Sequence, residues 1–140
     1  GETGWPYLQH RGGPAGFVRV LDKRTIGFAE FAGNRQYVTL GNVAGDDRVS
    51  LFFMDYANRR RLKLFGRVEI IDTADPRFAV LPVEGYRGRI ERGALIHVAA
   101  FDWNCPQHIT ERFTLADVEA ATGKLAARIV ELERRLAEKD

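Results

Sequence analysis

The chain has one cysteine, Cys105, in 140 residues, so no disulfide can form within it. A reducing, cytoplasmic setting is the expectation. No apolar run approaches the ~20 residues of a membrane span, and the N-terminus lacks a signal-peptide stretch. Charge of one sign is scarce as well: 21 basic against 19 acidic residues leave +2, too little to announce a nucleic-acid or membrane partner. With only 14 glycines and 5 prolines, and 45% hydrophobic residues, the chain is too apolar for disorder. Its length suits one soluble domain around a single core. The first residue is Gly1 and the only methionine is Met54, which leads to the expectation that further residues precede Gly1 in the natural protein.

The patterning is mainly β. Tyr7, Gln9 and Arg11 alternate with Leu8 and His10, and Gly12-Gly13-Pro14 ends the stretch. Gly16–Leu21 and Thr25–Phe31 read as strands joined by a polar hairpin connection. Tyr37, Leu40 and Ala44 mark a short helix weakened by Gly41 and Gly45. Arg48–Tyr56 is apolar on both faces, which predicts a central strand. After a turn at Ala57-Asn58 comes the clearest period of two, with Leu62, Leu64, Val68 and Ile70 on one face. Arg59, Arg61, Lys63, Arg67 and Glu69 lie on the other. Asp75-Pro76 opens a short helical piece that Pro82 closes. A loop with Arg87, Arg89 and Arg92 leads to a strand over Ala94–Phe101. Thr114 with Asp117 reads as a helix cap, and Leu125, Ile129, Leu132 and Leu136 form one stripe along the helix that follows. Five or six strands with short links predict a small antiparallel barrel or curled sheet with a C-terminal helix.

Candidate chemistry centres on the basic strand. Residues two apart on a strand lie ~6.5–7 Å apart, so Arg59, Arg61, Lys63 and Arg67 form a row interrupted by Phe65. Water alone supports such a row, and a phosphate would be held by it equally well. The turn Gly33-Asn34-Arg35-Gln36, opening a helix, is either an ordinary cap or a second anion-suited feature. Trp5, Tyr37, Tyr56 and Trp103 are candidates to stack on a ligand or to cap the core. Cys105 and His108 have a ligand-like gap but no second pair completes a tetrahedral set, so no metal is expected. His97, in an apolar strand, reads as a hydrogen-bonded core histidine. No spacing suggests a nucleophile triad. A barrel for single-stranded nucleic acid is the alternative from another class, disfavoured by the near-neutral charge.

Several segments are familiar in combination: Gly4-Trp5-Pro6-Tyr7-Leu8-Gln9-His10-Arg11-Gly12-Gly13, Phe31-Ala32-Gly33-Asn34-Arg35-Gln36-Tyr37, and Met54 to Lys63 followed by Gly66-Arg67-Val68. The chain resembles the pyridoxamine-phosphate-oxidase-like, FMN-binding split-barrel family over about Gly4 to Phe113. Phe101-Asp102-Trp103-Asn104-Cys105-Pro106-Gln107-His108-Ile109 resembles a marker of one bacterial branch. The resemblance implies a six-stranded antiparallel split barrel over residues 1–113, its first strand lying before Gly1. Residues 114–140 would be a helix packed on the barrel or on a dimer partner. It also implies a homodimer holding FMN between subunits, acting as an oxidoreductase on a small molecule, with NAD(P)H a possible electron donor. The turn Asn34-Arg35-Gln36 would hold the phosphate through Arg35 and Gln36, together with Arg61 and Lys63 of the basic strand. His10 and Arg11 would lie near the flavin ring, and Trp103, Asn104, Gln107 and His108 would line the cleft. The C-terminal arginine-rich signature of true pyridoxamine phosphate oxidases is absent, so pyridoxamine phosphate is not the expected substrate. Alternatives are a deazaflavin or haem in the same fold, or a flavin-binding module without turnover.

Overall fold

The computed structural model describes residues 4–33, 37–103 and 106–138. Five strands, β1 (Arg19–Val20), β2 (Thr25–Phe31), β3 (Arg48–Asp55), β4 (Arg60–Ile71) and β5 (Ile90–Trp103), form one sheet in the order β1-β2-β5-β4-β3. Helix α1 (Val38–Gly45) precedes β3, a 3-10 helix (Pro76–Val80) lies between β4 and β5, and α2 (Leu115–Ala137) ends the chain. The chain divides into two compact units. One comprises Gly1–Phe52 with Leu62–Trp103, the other Phe53–Arg61 with Asn104–Asp140.

In the first unit β5 is the central strand, antiparallel to β2 on one side and to β4 on the other. The alternation read in β4 holds: Leu64, Gly66 and Val68 are buried while Phe65 and Arg67 face out. Register runs from Ile71 opposite Gly93 to Gly66 opposite Val98, then shifts so that Phe65 lies opposite Ala100. Ala99 is thus the extra residue of a bulge. A side chain at Gly66 would bring its Cβ to 2.6 Å from the His97 carbonyl oxygen, so only glycine permits the close approach of the two backbones.

The core cluster joins Ala29, Ile71, Leu81 and Leu95, with Leu21, Phe31, Phe78 and Ile90 packed around it. Leu81 is fully buried. The 3-10 helix delivers it: the Asp75 side chain accepts from the Arg77 amide, Pro76 supplies a preset φ, and the Leu81 amide donates to the Phe78 carbonyl. Leu81 drops into space left by two glycines of adjacent strands. A Cβ on Gly27 or Gly93 would come within 2.9 or 2.7 Å of its methyl groups.

Three expectations need correction. Among the described residues there are five strands rather than six. Tyr7–Arg11 is irregular, and β1 is only two residues long. Among the described residues no strand pairs with Tyr7–Arg11; side-chain bonds hold it instead, Thr39 Oγ1 donating to Gln9 Oε1 at 2.5 Å and Arg11 to Glu30. Alternation alone cannot supply a partner with free backbone groups. The apolar run of β3 lies at the margin of the sheet, not its centre, and Phe52 is 56% exposed. Apolar residues on both faces say what a strand must cover, not how many strands bond to it.

In the second unit, the turn after β3 is the expected one at Ala57-Asn58. Asp55 accepts from the Asn58 amide and side chain at 3.2 and 2.9 Å. α2 begins with a full capping box between Thr114 and Asp117. The Thr114 hydroxyl and amide hold the Asp117 carboxyl below its ordinary range. Replacing Thr114 with alanine is expected to remove about 1 kcal/mol of helix stability, seen as lower helical circular dichroism near the unfolding midpoint.

Candidate functional site

The basic row of β4 is not a uniform band of free charge. In the first unit Lys63 Nζ sits 2.7 Å from Asp102, and Arg67 NH1 sits 2.5 Å from Asp47. In the second unit Arg59 Nε lies 3.3 Å from Glu111. Three of the four cations are therefore matched by carboxylates from elsewhere in the chain. Arg61 differs. It has no ion pair among the described residues, and its Nε is buried with no hydrogen-bond partner. A buried guanidinium nitrogen without an acceptor is costly and fits an anion that completes it.

A second charged cluster was not foreseen. Glu30, within the apolar run of β2, accepts from Arg11 Nε and NH2 at 3.1 and 2.7 Å, and Arg92 Nε approaches it at 3.7 Å. Arg92 also bonds Glu91 at 3.1 Å and lies over the Tyr37 ring, 5.2 Å from its centroid. Glu30 and Arg92 keep only 17% and 18% of their side-chain surface exposed, so this pairing is partly desolvated. It binds the N-terminal segment, β2 and β5 into one body. The signal was available in the sequence: Glu30 is the one carboxylate among Thr25–Phe31, and a lone acid on a buried strand needs a cation. Glu30→Ala would leave Arg11 and Arg92 facing each other. The expected loss is about 2 kcal/mol in urea unfolding, with the Glu30→Gln variant losing less.

An open cavity of about 460 Å³ in the first unit is lined by Leu21, Asp22, Thr25, Arg77, Leu95 and His97 among others. None of the predicted cofactor residues lines it. Its charged groups are already engaged. Arg77 grips Glu69 through NH1 and NH2 at 3.0 and 2.6 Å and Asp75 through NH2 at 2.7 Å. Asp22 is held below the ordinary carboxylate range first by the Arg24 amide. His97 is half-exposed rather than a core histidine, with Nε2 3.1 Å from Glu69. The strand carries it outward because His97 shares a face with exposed Arg67, its register partner.

Arg77 first, and His97 second, keep Glu69 ionised below its ordinary 4.5. Arg77 likewise lowers Asp75 from 3.8 to about 2. Both carboxylates have folded-state values below their unfolded ones. Their contribution is therefore present above the ordinary range and lost as pH falls toward the folded values. The urea midpoint is expected to fall between about pH 4 and pH 2, and to fall less in an Arg77→Gln variant.

The remaining expected site residues are scattered or lie outside the described residues. Asn34, Arg35, Gln36, Asn104 and Cys105 are in the latter group. Arg11 is engaged with Glu30, while His10 is exposed and turned over Gly12. Trp103 ends β5 opposite Leu62 and is 59% exposed. In the second unit Gln107 and His108 are exposed, and His108 adopts a left-handed φ of 64°. Among the described residues, no helix is long and apolar enough to cross a membrane.

An antiparallel sheet with this strand order, a basic strand and a terminal helix defines a split-barrel protein. Two solved structures from group A Streptococcus share the fold: HupZ, at TM-score 0.52, and a histidine-to-alanine variant of HupZ, at 0.51. Each is 18% identical; the matches cover 72% and 66% of this chain and 78% and 76% of theirs. A comparison with curated proteins gave no match. The profile of the pyridoxamine 5′-phosphate oxidase family matches residues 1–102, and the chain belongs to that family.

Proposed function

We propose that this chain is an FMN-binding flavoprotein of the cytoplasm that carries out oxidoreductase chemistry on a small molecule, as a homodimer. The observation that carries the reading is Arg61: a guanidinium with a buried, unpartnered Nε in a row whose other three members, Arg59, Lys63 and Arg67, are each matched by a carboxylate. A phosphate monoester fits that donor set, since guanidinium accommodates phosphate oxygens in a planar fork. Family membership supports FMN as the molecule bearing the phosphate. When bound, FMN supplies the electron transfer, while the protein supplies position and electrostatics.

Within this reading Arg61 binds the phosphate. Lys63 contributes less, because Asp102 already balances it. The Arg11–Glu30–Arg92 cluster is charge-compensated and gives the fold rigidity rather than a free anion grip. The substrate is taken to be something other than pyridoxamine 5′-phosphate. The family match stops at residue 102, and the segment beyond it, Trp103 to His108 followed by α2, lacks an arginine-rich signature.

The test is an absorption spectrum of freshly purified protein, mass identification of heat-released cofactor, and titration of the apoprotein with FMN. A yellow protein releasing FMN, or stoichiometric uptake of added FMN, is the expected result. A colourless protein that takes up no FMN would overturn the reading and leave the fold as it stands. Reduction of the bound flavin by NADH or NADPH is the further readout that separates an enzyme from a binding module.

A further inference from the structure

Helix α2 cannot be a finished surface. It is 23 residues long, about 34 Å at 1.5 Å per residue. Along it Leu115, Val118, Leu125, Ile129, Leu132 and Leu136 are each between 44% and 73% exposed. In proteins most helical stability comes from packing an amphipathic face rather than from intrinsic propensity. The stripe therefore needs a cover.

The period of the stripe and the charges beside it say what covers it. Leu115, Val118, Thr122, Leu125, Ile129, Leu132 and Leu136 are separated alternately by three and four residues. That is the 3.5-residue repeat of a left-handed coiled coil, carried through seven consecutive seam positions. The first class of position holds Leu115, Thr122, Ile129 and Leu136; the second holds Val118, Leu125 and Leu132. Thr122 is the one polar member, and its hydroxyl donates to the Val118 carbonyl at 2.8 Å, so it brings no unsatisfied group to a seam.

The charges divide by face. On the outer face Arg134 bonds Glu131 and Glu138 within the same helix. Beside the seam lie Arg128, Glu133 and Arg135, and none of them forms an ion pair among the described residues. In a parallel, in-register pair, the residue flanking the seam at one position faces the residue five further along on the other helix. That rule places Arg128 against Glu133 of the second copy, and small Ala121 against Ala126. An antiparallel pair would instead set Arg128 against Arg128 and Glu119 against Glu133, like against like.

We infer that α2 pairs with α2 of a second copy of this chain as a parallel, in-register two-stranded coiled coil. Arg128 and Glu133 select that orientation. The pairing stands on the helix alone, whether or not the protein holds flavin.

The experiment uses the full chain with Cys105→Ser, into which Leu132→Cys or Ala127→Cys is introduced. Ala127 is on the outer face of the same helix. Under mild oxidation Leu132→Cys is expected to give disulfide-linked dimers as the main product, and Ala127→Cys less than about a tenth as much, because only seam positions bring like-numbered Cα atoms within bridging distance. Adding Arg128→Glu is expected to cut the Leu132→Cys yield severalfold, and adding Glu133→Arg to that variant is expected to restore it. A Leu132→Cys yield no higher than that of Ala127→Cys would overturn the inference, even for a chain that sediments as a dimer. A yield indifferent to Arg128→Glu would overturn the charge selection.

Discussion

Leu81→Ala is expected to destabilise the protein by about 3 kcal/mol, within the range of fully buried leucine truncations. Leu81 is completely buried, and it is the residue by which the 3-10 helix is anchored to the sheet. Its loss should also free the segment that holds Arg77 beside Glu69 and Asp75. Thermal unfolding should shift downward by roughly 10 °C, with an unchanged dependence on urea concentration if only the folded state is affected. The glycines that receive Leu81 make the prediction sharper. Gly93→Ala alone should also destabilise, since its Cβ would lie 2.7 Å from both a Leu81 methyl and Ile71 Cγ1. Combined with Leu81→Ala, the new methyl enters space the leucine has left, so the double variant should lose less than the two single losses together. Strict additivity would show that Gly93 and Leu81 do not share that space.

Arg61→Ala is expected to weaken FMN binding by about tenfold to a hundredfold, the span of one hydrogen-bonded charged contact. Lys63→Ala should have a smaller effect, because its ammonium is matched by Asp102 at 2.7 Å. Arg67→Ala should leave affinity nearly unchanged, since Arg67 is held by Asp47. The double variant Arg61→Ala with Lys63→Ala should lose at least an order of magnitude. Fluorescence titration of apoprotein measures all four. Unchanged affinity in Arg61→Ala and in the double variant would remove the phosphate assignment from this strand. Arg61→Ala should also be no less stable than the parent when FMN is absent, because it deletes a buried group with no partner rather than one half of a pair. That readout separates a ligand-binding arginine from a structural one.

Much of the secondary structure was legible because its causes are local. The alternation survives in β4 from Leu64 to Val68 because a half-buried strand has no other way to sort its side chains. Asp75-Pro76 and Thr114 with Asp117 start helical segments through side chains that reach backbone groups only two or three residues on. The order of the familiar segments was also sufficient to point to the family. The apolar run of β3 was legible as a strand and misleading as to its place, since hydrogen-bonded neighbours are chosen by the connections and not by the run itself.

The candidate site divides along the same line. Composition and spacing alone determined that a basic row lies on one face of β4, that a short capped turn precedes β5, and that a leucine-striped helix ends the chain. Only the tertiary structure decided which cations are free. Asp47, Asp102 and Glu111 come from distant parts of the chain to Arg67, Lys63 and Arg59, and leave Arg61 without a carboxylate among the described residues. It likewise decided that Glu30 joins Arg11 to Arg92, residues 81 positions apart. Periodicity acts through neighbours along the backbone. Charge compensation acts through space, over a few ångströms that no spacing in a linear chain records.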